Sequence, residues 1–197
     1  MSREDVILEA YGDLSAVTPD VAAELVDLAD NLGLDPYVLA NLIYYESGWR
    51  PQAVNSASGA TGLIQFMPST AERLGISTDL LLTLDAEDQL PWVAEYLRRQ
   101  LASVQSRWTG TEADHYMLVF YPAAVGKPDY EFPSKVTDVN ASETPADYAA
   151  RVERHAADRY IKPVKTSTIS ARGKARTSGF VVLALVGAGL FLWTRTK

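Results

Sequence analysis

The sequence predicts a mainly α-helical domain with at most a short β-hairpin, followed by a C-terminal transmembrane helix. Three observations point there. Apolar residues recur at helical spacing, most clearly in Leu90, Val93, Leu97, Leu101, Val104 and Trp108, whose steps are 3, 4, 4, 3 and 4. Helix start signals precede such series at Thr18 and Pro19, Asp35 and Pro36, Thr111, and Thr144 and Pro145. An unbroken apolar run extends from Phe180 to Trp193 between basic flanks.

Residues Met1, Ser2, Arg3, Glu4 and Asp5 lack the basic start and apolar run of a secretory signal, so none is expected there. Thr18 and Pro19 open a helix whose apolar face, Val21, Leu25, Leu28 and Leu32, is stopped by Gly33. Asp35 and Pro36 open a second helix that Gly48 ends. From Trp49 to Met67 the periodicity breaks into Gly, Ser, Asn and Ala, with room for a hairpin at most. Ser69 and Glu72 have capping-box spacing and announce a helix closed by Gly75. The series from Leu90 to Trp108 predicts a long helix with Pro91 near its first turn, where a missing N–H costs little. Thr111 with Asp114 is another capping box, leading a helix that Pro122 must end. Thr144, Pro145 and Asp147 start a last helix reaching about Tyr160.

Composition narrows the chemistry. The 197 residues contain no cysteine and two histidines, His115 and His155. Disulfides, thiol catalysis and Cys/His zinc sites are therefore excluded. No phosphate loop or dinucleotide glycine pattern occurs. Asp85, Glu87 and Asp88 lack calcium-loop spacing and read as a solvated helix start. His115 falls in the first turn of a helix and reads as an ordinary side chain. No metal or cofactor is expected.

The formal charge of −7 hides a division. Of the 18 basic residues, eight lie from Arg159 onward with no acid among them. Residues 1–158 thus carry the other ten against all 25 acids, a charge of −15. Such a body is a poor nucleic-acid binder, because phosphate contacts need clustered positive charge. The body is expected to span 1–160 and a basic, aperiodic linker 161–178. The anchor is expected over 179–194. Fourteen apolar residues at about 1.5 Å each cover about 21 Å of a hydrocarbon core near 30 Å. Flanking residues and snorkelling Arg and Lys side chains make up part of the rest. The basic segment before it favours anionic lipid headgroups.

Glu46 is the residue with chemistry to explain. Leu39, Leu42 and Ile43 lie 7, 4 and 3 residues before it, so a carboxylate closes an apolar helix stripe. Tyr44, Tyr45 and Trp49 are near it in sequence, and the cluster Leu63, Ile64, Phe66 and Met67 is placed to cover it. Such desolvation disfavours the anion and suits a proton donor near neutral pH. The alternative is a Glu whose stem packs while its head reaches solvent.

From Glu46 to Pro68 the chain reads ESGWRPQAVNSASGATGLIQFMP. This stretch resembles the lytic transglycosylases of the soluble-lytic-transglycosylase type. That family has a Glu-Ser pair at a helix end, an Asn or Arg followed by Pro, a Gly-Ala-x-Gly-Leu-x-Gln turn and a Met-Pro, in this order and at this spacing. The resemblance is dense over 35–75, extends over roughly 18–135 and does not reach the tail. It implies a lysozyme-like helical fold with Glu46 as the sole catalytic acid/base. Ser47 would bond the helix end. Asn55 stands where the family commonly has a Ser facing the sugar, and Gln65 and Met67 match substrate-facing positions. Gly59 and Gly62 would let the backbone approach the glycan. The family's last motif, an aromatic followed by Asn-Ala-Gly, is replaced by Phe120, Tyr121, Pro122, Ala123 and Ala124. Either aromatic can serve, with Tyr121 favoured because a phenol also hydrogen-bonds.

The resemblance further implies cleavage of the β-1,4 bond between N-acetylmuramic acid and N-acetylglucosamine in peptidoglycan. Glu46 would protonate the glycosidic oxygen. Its carboxylate would then deprotonate the muramic acid C6 hydroxyl, which closes on C1 to a 1,6-anhydro sugar. Ordinary glycosidases use two carboxylates. The acids nearest in sequence, Asp35 and Glu72, are not neighbours of Glu46, although a distant one such as Asp114 is open to consideration. A hydrolytic lysozyme on the same fold and a non-catalytic glycan-binding structural protein of a virion are therefore the alternatives. A C-terminal anchor without an export signal resembles the tail-anchored transglycosylases of membrane-containing icosahedral phages. That likeness implies a virion internal membrane, virion protein partners and local wall opening during phage entry. A bacterial inner-membrane enzyme facing the periplasm is the other expected location.

Overall fold

The computed structural model describes residues 1–133 and 143–163, and the segments 134–142 and 164–197 are not described. The predicted anchor and most of the predicted linker lie outside the described residues. Among the described residues no helix is long and apolar enough to cross a membrane.

Among the described residues eight helices follow in order: α1 (Arg3–Tyr11), α2 (Pro19–Leu32), α3 (Pro36–Ser47), α4 (Pro68–Leu74), α5 (Thr78–Leu81), α6 (Ala86–Val104), α7 (Glu112–Phe120) and α8 (Pro145–Ala156). Two single 3₁₀ turns, Pro122–Ala124 and Ala157–Arg159, follow α7 and α8. The expected hairpin reduces to two isolated bridges, Val54 with Thr61 and Thr61 with Phe66.

The start signals act as the sequence predicts at four helices. Thr18, Asp35, Thr111 and Thr144 each accept a backbone N–H of the turn they open. Thr144 and Asp147 form a reciprocal capping box. Asp85 caps α6 by accepting from the Asp88 N–H at 2.9 Å, the solvated helix start expected of that acidic run.

Four expectations are corrected. Ser69 and Glu72 form no capping box: α4 starts at Pro68 with Met67 as its cap and no side-chain cap bond. Proline at the first position needs no N–H partner, so the helix opens one residue earlier. Pro91 lies in the second turn of α6, because the cap is Asp85 and not a residue beside Leu90. The helix also stops at Val104, short of Trp108. Asp114 does not reciprocate to Thr111. Its carboxylate takes the Thr109 N–H at 2.9 Å and the Gly126 N–H at 2.7 Å.

Two elements were not foreseen. One is α1, which a Ser2 and Asp5 capping box opens and the buried pair Ile7 and Tyr11 secures. The other is the single turn α5.

The core is assembled around α2 and α3. Helix α2 packs on α6, α3 and α1, while α8 packs on α7 and α3. Helix α3 is buried along nearly its whole length. Its fully buried Asn41 bonds the backbone of Ile161 through both amide atoms, at 2.7 and 3.0 Å. Tyr11 donates to the same Asn41 oxygen at 2.7 Å. Every polar atom of that side chain named here is thus satisfied, as burial requires.

At the other end of α3, the Asp35 N–H donates to Nε2 of buried His115 at 3.0 Å, and His115 Nδ1 lies 2.7 Å from the Thr111 carbonyl. The ring ties the starts of α3 and α7 together. Burial pushes its pKa below 6.5.

Candidate active site

Glu46 occupies the last turn of α3, half-buried. The helix end beneath it is fixed locally. Ser47 Oγ donates to the Ile43 carbonyl at 3.1 Å, the structural role expected of it. Arg50 Nε donates to the Ser47 carbonyl at 2.9 Å. Trp49 follows in the left-handed region at φ +58° with its ring buried, which turns the chain back under the helix.

Around Glu46 the fold gathers aromatic rings from separate elements. The hydroxyl of Tyr148, on α8, lies 3.3 Å from Glu46 Oε1 and donates to it. Tyr148 is 1% exposed. Its ring stacks on Phe120 of α7 at 4.4 Å and meets Tyr45 of α3 edge-on at 5.6 Å. Tyr96 of α6 is buried, with Phe66 edge-on at 5.8 Å and its hydroxyl donating to the Leu118 carbonyl at 3.1 Å.

Burial first, and then the Glu46 charge, pushes Tyr96 up to about 12 and Tyr148 well above its ordinary value. Both phenols therefore stay protonated across the physiological range. Chemically, the arrangement is one carboxyl group held against phenols that donate hydrogen bonds and do not ionise.

The other sequence-expected residues are placed as follows. Asn55 is exposed, and its Oδ1 accepts the N–H groups of Ala57 and Ser58 at 3.0 and 3.2 Å. It builds the tip of the 55–60 turn. Gln65 is half-buried at φ +53°, and its Nε2 donates to the Gly62 carbonyl at 3.0 Å and more weakly to the Ala53 carbonyl. Met67 is 45% exposed at the start of α4.

Tyr121 pairs with Tyr130 and Phe132, both at 5.6 Å, whereas Phe120 stacks on the tyrosine that bonds Glu46. The structure thus puts Phe120 next to the carboxylate's own partner. Asp114 is held by Thr109 and Gly126, as described above. Among the described residues no group of three or more His, Asp and Glu could hold a metal ion.

Comparison with known proteins bears on the segment that holds Glu46 and the turn after it. Residues 27–113 match the family model described as the transglycosylase SLT domain. Curated relatives include a membrane-bound lytic murein transglycosylase F of Marinobacter nauticus, 33% identical over 100 residues covering 51% of this chain and 19% of the relative. A protein of the same description from Maricaulis maris is 36% identical over 98 residues, 50% of this chain and 20% of the relative. The chain thus spans about a fifth of the length of these relatives.

The SLT domain match takes in α3 to α6 with the C-terminal part of α2, and it ends inside α7. It therefore contains Glu46, Asn55, Gln65, Met67 and Tyr96, but not Phe120, Tyr121 or any of α8. Sequence reasoning missed the residues that complete the site from beyond it. Tyr148 was one, and behind it stand Arg151 and Glu143. The Arg151 guanidinium lies 4.7 Å over the Tyr148 ring and 5.9 Å from that of Tyr45. Arg151 Nε is 3.2 Å from the buried Glu143 carboxylate. The available signal was the helical spacing of Tyr148 and Arg151 on one side of the strongly two-faced helix α8.

The turn between Trp49 and Met67 is held from α6. Gln89, fully buried, accepts the Leu63 N–H at 2.9 Å and donates to the carbonyls of Pro51 and Leu81 at 2.7 and 2.9 Å. Gly62, at φ +85°, passes so close that a Cβ there would stand 2.6 Å from Gln89 Oε1. Glycine is thus required both by the backbone angle and by the neighbour.

Proposed function

We propose that the chain is a peptidoglycan lytic transglycosylase with Glu46 as its only catalytic acid/base. The single observation that carries this reading is Glu46 itself. It is a half-buried carboxyl at a helix end that accepts a hydrogen bond from a phenol, inside the segment that matches the SLT domain. Low-dielectric aromatic surroundings disfavour the anion and suit a group that must first give up a proton.

The step balances without water. Glu46 gives its proton to the glycosidic oxygen as the C1–O bond breaks. The carboxylate then takes the proton of the muramic acid C6 hydroxyl as that oxygen bonds C1, so Glu46 ends as it began. The nucleophile is tethered to the reacting carbon, which replaces the positioning of a water molecule. Support for the non-hydrolytic outcome comes from Asp114, the candidate second acid, whose two oxygens are taken by backbone N–H groups of a loop.

Asn55, Gln65, Met67 and an aromatic of the 120–121 pair are the proposed glycan contacts. Asn55 would act through its amide N–H groups and Gln65 through its carbonyl, since their other atoms already hold the turn. The finer reading includes a membrane tether over 179–194. It places the enzyme on a virion internal membrane for wall opening at phage entry, or alternatively on a bacterial inner membrane facing the periplasm. Its support is the basic-flanked apolar run in the sequence.

Mass spectrometry of digested sacculi tests the chemistry, because anhydro products are lighter by one water than hydrolytic ones. Glu46→Gln should abolish cleavage while leaving the melting temperature nearly unchanged, and turnover at the wild-type rate would overturn the assignment. Copurification of the protein with virion lipid after detergent-free disruption tests the location.

A further inference from the structure

Behind the aromatic wall stands an ion pair that the proposed reaction does not use. Glu143, immediately before the cap of α8, is buried, and its carboxylate lies 3.2 Å from Arg151 Nε. The guanidinium in turn covers the ring of Tyr148, which also meets Phe120, Tyr45 and Tyr116 and whose hydroxyl is on Glu46. A structural ion pair alone would be an unremarkable reason for this arrangement, since such pairs are often replaceable by apolar residues. What sets this one apart is its place, one ring away from the reacting carboxyl.

An uncompensated guanidinium there would favour the anionic form of Glu46 and withdraw the proton donor the reaction needs. A carboxylate on its far side cancels that field. We propose that Arg151 and Glu143 are positioning residues for Glu46: the guanidinium clamps the Tyr148 ring so that its hydroxyl stays on Glu46, and Glu143 neutralises the guanidinium so that Glu46 holds its proton. This inference rests on Glu46 being the acid of the proposed reaction.

The other groups around Glu46 stay constant across the test. They are Tyr45 on its own helix, Tyr96 from α6, and Arg73 of α4, which acts on Tyr96. His155, one turn beyond Arg151, meets Tyr45 edge-on at 5.2 Å.

The experiment is the pH–rate profile of the full chain on purified peptidoglycan sacculi, for wild type, Glu143→Gln, Arg151→Met, Arg151→Lys and the Glu143→Gln/Arg151→Met double variant. Glu143→Gln removes a negative charge and should move the alkaline limb down by about half a pH unit or more. Arg151→Met removes the positive charge and the clamp. It should move that limb up and lower kcat more than KM. The double variant should bring the limb back toward wild type, a coupling that a merely structural pair would not show. Arg151→Lys should restore the limb while leaving kcat below wild type, because an ammonium does not cover a ring as a planar guanidinium does.

Limbs that coincide with wild type within about 0.2 unit in all four variants would overturn the proposal. If Arg151→Met does not fold by circular dichroism, the isosteric Glu143→Gln and the charge-retaining Arg151→Lys decide it. Wild-type turnover in Glu46→Gln would overturn the acid assignment itself, and is read separately.

Discussion

Replacing Gln89 by Met should unfasten the turn that carries Asn55 while leaving the shape of the core almost unaltered. The side chain is fully buried on α6 and bonds backbone groups of Leu63, Pro51 and Leu81, with a weaker contact to the Leu84 carbonyl at 3.5 Å. Methionine fills nearly the same volume but offers no donor and no comparable acceptor. Three backbone groups then lose a partner in a place water does not easily reach, each at about 1–3 kcal/mol. Allowing for local relaxation, a loss of about 3–5 kcal/mol follows, a large part of the ~5–15 kcal/mol that stabilises a typical domain. For a body of this size each kcal/mol moves Tm by roughly 2–4 °C, so a fall of about 10 °C is expected. Thermal denaturation followed by circular dichroism measures it, and cleavage of sacculi by the remaining folded protein should fall with it. Gln89→Glu supplies the control. It keeps the Leu63 contact but points a carboxylate oxygen at two carbonyls, and should do no better than Met. A Tm within about 2 °C of wild type for both variants would refute the claim that this side chain organises the turn.

Tyr148→Phe should keep the stacked wall and lose the hydroxyl on Glu46. Cleavage of sacculi should drop about tenfold for a stability change near 1 kcal/mol, and an unaltered kcat would deny the phenol a role. Gly126→Ala forces a Cβ to 2.1 Å from the Arg107 carbonyl oxygen at φ +73°. A loss of more than about 2 kcal/mol in urea denaturation is expected, since the obstacle is backbone and cannot rotate away. His115 is held neutral by burial, its pKa below 6.5, so the unfolded chain takes up a proton that the native fold refuses. Stability should therefore fall as pH drops below about 6.5, and the gap between wild type and His115→Gln should narrow from pH 7 to pH 5. A gap that stays constant with pH would contradict this.

Local signals carried most of the fold and one half of the candidate site. Caps at Thr18, Asp35, Thr111 and Thr144 are short-range chemistry: an oxygen reaches an N–H two or three residues on, and nothing distant competes. Where the expectation failed, a second partner had entered. Asp114 has capping-box spacing, yet its oxygens go to Thr109 and to Gly126, twelve residues away. Ser69 has that spacing too, yet the rigid φ of Pro68 opens the helix first. Glu46 was legible because an acid ending an apolar stripe is unusual by itself. Tyr148 was not, since its contact spans 102 residues and a Tyr on the buried face of an amphipathic helix looks like core. The same reasoning explains Phe120 and Tyr121. Neighbours in sequence at the end of a helix, they point to different clusters, and only the tertiary packing separates them.

The distribution of acids inside the body argues for a single-carboxylate reaction more strongly than any one contact does. Asp35 caps α3 through the N–H groups of Tyr37 and Val38. Asp114 holds the loop before α7 to Gly126, and Glu112 accepts the hydroxyls of Tyr116 and Tyr160. Glu143 balances Arg151. Each of these carboxylates is bound by groups whose loss would cost the fold, so using one as a base or nucleophile would undo the structure that positions it. The bond from Tyr148 to Glu46 is of another kind: a long, neutral contact at 3.3 Å that either protonation state of the acid can keep, because a phenol donates to a carboxylate and also accepts from a carboxylic acid. A group that must be acid in one half of a reaction and base in the other is served by a partner of that sort. With Asp35, Asp114, Glu112 and Glu143 tied to architecture, this arrangement supports the proposed assignment of proton transfer to Glu46.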